Sequence, residues 1–201
     1  MLEGANSEKV GAGIGGVSML RLGLARLRLA MAALVALLAT PVAYAAPITI
    51  VAVGASNTSG FYVATEQAYP AQLEGMLRAK GVNARVINAG RPFDVTAGML
   101  ARIDQAVPDG TNIAILQPGG NDQRFFVGRD QRAANIAAMS NRLRARHIQV
   151  IVFDPVIPSQ YYAWDRIHLT VEGHTWIASS LLPQVLAIAR RPQATAQGEA
   201  R

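Results

Sequence analysis

The sequence predicts an α/β domain built on a parallel sheet. Short apolar runs with β-branched residues recur four times, at 48–53, 84–88, 112–117 and 149–153. Segments with helical apolar spacing separate them. Strands that alternate with helices pair as βαβ units with right-handed crossovers.

Each element has its own local signal. Ile48-Thr49-Ile50-Val51-Ala52-Val53 is continuously apolar, the pattern of a strand buried on both faces. Pro70 to Lys80 reads as a helix, with Leu73, Met76 and Leu77 on one face and Gly81 as its stop. Ala84 to Asn88 is a second strand. Thr96 to Val107 is a helix with Met99, Leu100 and Ile103 as its stripe. Asn112 to Gln117 is a third strand. Asp130 to Arg146 is a helix facing inward through Ile136, Met139 and Leu143. Gln149 to Phe153 is a fourth strand. Thr170 to Arg190 is a last helix, expected to kink or break at Pro183.

Composition bounds the function. Of 201 residues, 51% are hydrophobic and 16% charged, which supports a packed core and excludes global disorder. The absence of cysteine excludes disulfides, thiolate metal sites and a cysteine nucleophile. The net charge is +6, of which residues 1–45 contribute four basic and two acidic side chains. The remaining basic residues are scattered rather than clustered with aromatics, so nucleic acid is not an expected partner.

Arg21, Arg26 and Arg28, the apolar run Leu29 to Leu38, and Ala43-Tyr44-Ala45 form the pattern of a cleavable secretory leader. The run is short for a membrane span, and Pro41 ends it. The expected organisation is a leader and extension over 1–45, one folded domain over 46–190, and a disordered tail over 191–201. The mature protein is expected to be exported, without a membrane span.

Sites in open parallel sheets form beyond the carboxyl ends of the strands. Four chemically distinctive segments fall there. Ser56 follows the first strand through Gly54-Ala55. Asn88 to Asp94 follow the second, Gly119-Gly120-Asn121-Asp122 the third, and Asp165-Arg166-Ile167-His168 the fourth. A serine hydroxyl needs a base to become a nucleophile. His168 is the candidate base, and Asp165, three residues before it, is the candidate to orient its ring. The Ser56 backbone N–H and the Asn121 amide are candidate donors to an oxyanion.

These segments resemble the blocks of the SGNH, or GDSL-type, hydrolase superfamily. The style is that of bacterial periplasmic acyl-CoA thioesterases and lysophospholipases. Val53-Gly54-Ala55-Ser56 resembles the nucleophile block, and Val86 to Gly90 with Asp94 to Arg102 the second. Gly119 to Asp122 and Asp165 to His168 resemble the third and last. The likeness spans roughly 48–186. It implies a three-layer, flavodoxin-like fold with helices on both faces of a parallel sheet, a Ser56-His168-Asp165 triad, and no cofactor or metal; the short segment between the fourth strand and Asp165 sets the expected sheet at four main strands. It differs from α/β-hydrolases, whose elbow places glycine two residues after the serine; here that residue is Thr58.

The chain departs from the family pattern at three places. Ala55 stands where an acidic residue is usual. The second-block oxyanion glycine falls at Phe93 when aligned through Asn88 and Asp94, with Gly90 as the alternative; a benzyl group at 93 is expected to narrow the pocket. Only Pro155 to Trp164 separates the fourth strand from Asp165, so one wall of the site is expected to be reduced.

Other residues carry weaker signals. Tyr161, Tyr162 and Trp164 either line the cleft or pack under the loop. His174 is a poor metal-ligand candidate at its spacing from His168. Asp154 is expected to cap a loop or support the site, His147 to be solvated at a helix end, and Arg91, Arg124 and Arg129 to be surface charges.

The function expected from the sequence is an exported serine hydrolase of carboxylic esters or thioesters, acting on small-molecule or lipid esters. Two alternatives stand beside it. One is a carbohydrate O-acetylesterase. The other is a catalytically weak relative that binds an envelope lipid or glycan.

Overall fold

A computed structural model describes residues 46–191. The leader expected at 1–45, and the tail beyond Arg191, lie outside the described residues. The first strand, β1, runs Ile48–Gly54, and a one-turn helix, α1, follows at Ser56–Ser59. After a 3-10 turn at Thr65–Gln67 comes α2, Tyr69–Ala79, with Pro70 in its first turn, where no N–H is needed. β2 spans Ala84–Gly90. Two short helices follow, α3 at Thr96–Ala101 and α4 at Ile103–Ala106. β3 is Ile113–Gln117, α5 Asn121–Arg124, and α6 Arg129–Ala145. β4 is Gln149–Val152, and α7, Val171–Ala189, closes the domain.

The four strands are parallel, in the order β2-β1-β3-β4. Side chains of a strand alternate between faces, and β1 shows this directly. Ile50 and Ala52 pack with Tyr69, Leu73 and Leu77 of α2 and with Ile177, Leu181 and Val185 of α7. Val51 and Val53 pack with Met99 and Ile103 of α3 and α4 and with Met139 and Leu143 of α6. Both faces are therefore covered, and all four of these β1 residues are fully buried. This is the expected three-layer architecture.

Two helices differ from expectation. The helix expected over 96–107 is interrupted at Arg102, whose backbone leaves helical geometry (φ −108°, ψ 6°). Its guanidinium is committed to Asp94 and to the Gly54 carbonyl. The last helix, by contrast, runs unbroken through Pro183. Pro183 and Ser179, whose carbonyl loses its helical donor, both lie on the exposed side, where water can replace the lost bond. Among the described residues, no helix is long and apolar enough to cross a membrane.

Candidate active site

Strand order reverses at β1. The chain moves from β1 to β2 on one side, then returns past β1 to β3 on the other. Such a reversal opens a crevice at the carboxyl ends of the two central strands. Ser56 follows β1 there, and Asn121 follows β3. Both line a cleft of about 260 Å³, with Gln117, Asp154, Tyr162 and Arg166.

The turn into Ser56 is possible because residue 54 is glycine. A Cβ there would overlap Thr58 Oγ1 and crowd the Gln117 carbonyl. Thr58 Oγ1 donates to Gln117 Oε1 at 2.5 Å, tying α1 to the end of β3. Ser56 begins α1, so its N–H precedes the helical ladder and has no acceptor among the described residues.

Asp165 and His168 meet on the loop before α7. His168 Nδ1 lies 2.5 Å from Asp165 Oδ2, and Asp165 Oδ1 accepts the N–H groups of Ile167 (2.9 Å) and His168 (3.0 Å). A carboxylate only accepts, so Nδ1 is the donor in this pair and Nε2 is the ring nitrogen left to face a substrate. Burial alone pushes the Asp165 carboxyl up. The hydrogen bonds from His168 and Ile167 outweigh this and lower its pKa to about 2. The pair is therefore ionised on the acid side at any ordinary pH.

No hydrogen bond joins Ser56 to His168 among the described residues; such bonds are commonly long before a substrate closes a site. The two are linked through Asn57. Its Nδ2 donates to the Ile167 carbonyl at 3.1 Å, and its Oδ1 accepts from the Leu169 N–H at 3.2 Å. The residue after Ser56 thus clasps the backbone on both sides of His168. The sequence reading missed this role, although Asn beside the candidate serine, with two donors and two acceptors, was its available signal.

Asn121 donates through Nδ2 to the Asp94 carbonyl at 2.9 Å and accepts from Arg124 at 3.4 Å. That leaves its second amide hydrogen uncommitted. Asp94 also pairs with Arg102 at 2.8 Å, and Arg102 reaches the Gly54 carbonyl. One network therefore joins the segments after β1, β2 and β3. Asp122 is fully buried and faces the other way. Its carboxylate accepts from Thr96 Oγ1 (2.5 Å) and Thr96 N–H, fixing the start of α3.

The two candidates for the middle donor differ. The Gly90 N–H is already given to Asn88 Oδ1 at 2.9 Å, and a Cβ at 90 would overlap the Ser59 backbone. The Phe93 N–H has no acceptor among the described residues. Phe93 has φ 65°, the left-handed region that favours glycine. Its side chain is 72% exposed and does not line the cleft, contrary to the expected narrowing.

The aromatics divide. Tyr161 packs on Trp176 at 5.7 Å, Tyr162 lines the cleft, and Trp164 is exposed. Phe61 stacks on His168 with ring centroids 4.5 Å apart. His174 is buried and accepts the Tyr69 N–H at 3.3 Å. Asp154 pairs with Arg132 at 2.7 Å, Arg124 lines the cleft, and His147 is exposed. Among the described residues, no group of three or more His, Asp or Glu side chains is arranged to hold a metal ion.

Comparison with known proteins agrees with this geometry. The model of the GDSL-like Lipase/Acylhydrolase family matches residues 52–168. Esterase TesA of Pseudomonas aeruginosa is 30% identical over 118 residues, which is 58% of this chain. The match spans 59% of that esterase, about three fifths of its length. A crystal structure of TesA superposes with a TM-score of 0.65 at 20% identity, covering 70% of this chain and 99% of the other. AlinE4, described as an SGNH-hydrolase family esterase, gives a TM-score of 0.54 at 27% identity, covering 79% and 88%. Axe2, an acetylxylan esterase from Geobacillus stearothermophilus, shares the fold at 17% identity, with a TM-score of 0.57 over 72% and 94%. The sheet order, the blocks at its carboxyl edge and the match across 52–168 establish that the chain belongs to the GDSL-like lipase/acylhydrolase family and has the SGNH hydrolase fold.

Proposed function

We propose that this protein is a serine hydrolase of carboxylic esters or thioesters, with Ser56 as nucleophile, His168 as base and Asp165 as its orienting acid. The observation that carries the reading is the Asp165–His168 pair, clasped by Asn57 to the loop that presents Ser56.

His168 Nε2 takes the Ser56 proton as Oγ attacks the acyl carbon. The negative charge that develops on the carbonyl oxygen meets the Ser56 N–H, the free Asn121 amide hydrogen and the Phe93 N–H. Donors already aimed at that charge lower the barrier without reorganisation. Phe93 is favoured over Gly90 because the Gly90 N–H is spent on Asn88. Asp165 stabilises the imidazolium, which gives its proton to the departing alcohol or thiol. Water, deprotonated by the same histidine, then releases the acid from Ser56.

The cleft, at about 260 Å³, lies below the roughly 300–1,000 Å³ usual for sites that enclose drug-sized ligands. This supports short acyl groups. The leader pattern supports export, with 46–190 as the working domain. A second reading, a carbohydrate O-acetylesterase, is favoured by the exposed aromatics beside His168.

The test is hydrolysis of p-nitrophenyl acetate, butyrate and octanoate by protein beginning at Ala46, beside Ser56→Ala. Acetate is the expected best substrate, and Ser56→Ala is expected to fold normally and lose turnover by roughly four to six powers of ten. Undiminished turnover in the variant would sink the serine mechanism. No turnover in either folded protein would favour a binding relative.

A further inference from the structure

Beyond the acyl cleft, an aromatic surface runs outward from His168. Tyr62 meets the imidazole edge-on at a centroid distance of 5.0 Å. Trp164 continues the surface 6.2 Å from Tyr62, inclined by only 28°. Phe61 backs both Tyr62 and His168. Tyr62 is 56% and Trp164 85% exposed. Tyr62 also has φ 73°, a left-handed backbone region that a non-glycine residue adopts only under strain. A strained, exposed, nearly parallel aromatic pair beside His168 has no role in the core, and clustered exposed apolar surface is a feature of ligand sites.

We propose that Tyr62 and Trp164 form a leaving-group subsite that holds the face of a six-membered ring, the pyranose of an acylated carbohydrate. This rests on the serine-hydrolase reading. His168 delivers its proton to the departing alcohol, so the alcohol must come beside the imidazole, which Tyr62 also touches. The C–H face of a pyranose is positively polarised and stacks on the negative face of an aromatic ring. Its hydroxyls need donors and acceptors nearby, and the adjoining cleft offers Asn57, Gln117, Asp154 and Arg166. A long acyl chain would need an apolar trough instead. In the reaction, the Ser56 Oγ–acyl bond forms as the acyl–oxygen bond to the sugar breaks. The serine proton passes through His168 to the sugar oxygen, and water then yields the free acid and restores Ser56.

The experiment compares kcat/KM for monoacetylated methyl xylopyranoside, phenyl acetate and ethyl acetate in the unaltered protein, Trp164→Phe, Trp164→Leu and Ser56→Ala. The expected result is a sugar-to-ethyl ratio about tenfold lower in Trp164→Leu and largely retained in Trp164→Phe, as loss of one stacked ring predicts. A ratio unmoved by Trp164→Leu overturns the subsite. A fall confined to the phenyl-to-ethyl ratio overturns the pyranose assignment. Hydrolysis retained in Ser56→Ala overturns the underlying serine reading instead. If no ester is cleaved, fluorescence of the folded Ser56→Ala protein titrated with xylotriose decides. The sequence holds two tryptophans, Trp164 and Trp176. Quenching lost with Trp164→Leu supports the subsite, and no quenching overturns it.

Discussion

Asn57 illustrates how one side chain can decide the geometry of a site. It makes two hydrogen bonds, one to Ile167 and one to Leu169, and so brackets His168 without touching the chemistry. Asn57→Ala removes both while leaving Ser56, Asp165 and His168 intact. The loop is then free to drift, and a misplacement of about 1 Å in a reacting group can cost roughly 100-fold. Steady-state kinetics of Asn57→Ala should show a kcat drop of about that size with KM little changed. An unchanged kcat would mean that the loop is held by its own turn alone. At this scale the sequence offered the candidate residues of the proposed mechanism by type and place, because hydroxyl, imidazole and carboxylate have few substitutes. It did not name their supports. Asn57, Phe61 and Tyr62 act through contacts with a loop more than 100 residues away, and nothing local marks such contacts.

Among the elements, α7 carries a titratable group in its apolar face. His174 is fully buried, accepts the Tyr69 N–H through Nδ1, and has no partner for Nε2 among the described residues. Burial disfavours its charged form and lowers its pKa to about 4 from an ordinary 6.5. The unfolded chain therefore binds a proton at a pH where the folded protein does not. Stability is full above about pH 6.5 and falls as the pH drops toward 4, by about 3 kcal/mol from this group. Urea unfolding of the unaltered protein between pH 7 and 4 should show that loss. His174→Asn, whose Oδ1 keeps an acceptor for Tyr69 and cannot titrate, should flatten it. An equal acid slope in both proteins would place the effect elsewhere. Helices and strands were legible to within a residue or two wherever apolar spacing was regular, as in α2, α6 and β3. The one-turn helices α1 and α5 were not, because four residues hold too little periodicity to read. The break at Arg102 was not legible either; Arg102 there binds Asp94 and the Gly54 carbonyl, contacts that no apolar spacing marks.

For the whole molecule, one sheet separates two apolar layers. Leu73 belongs to one and Met139 to the other, and both are fully buried. Large-to-alanine changes at such sites cost about 2–5 kcal/mol, and changes without shared partners add. Leu73→Ala and Met139→Ala should each destabilise by about 3 kcal/mol. The double variant should lose the sum to within about 0.5 kcal/mol. Denaturant titrations of the three proteins measure this. A large departure from additivity would show that the sheet transmits strain between its faces. The same sheet positions the site, since the reversal at β1 sends Ser56 and Asn121 to one crevice from strands far apart in the chain.

The sequence by itself determined the α/β class, the strand count, the family blocks and the residue types able to do acyl transfer. Those depend on local spacing and on chemistry that side chains carry wherever they lie. Only the tertiary structure decided which N–H groups remain free, how Asn57 clasps the His168 loop, that Phe93 turns away from the cleft, and that Tyr62 and Trp164 align beside His168. Each of these is a relation between segments distant in sequence, set by packing on the two faces of the sheet rather than by any residue's own preference.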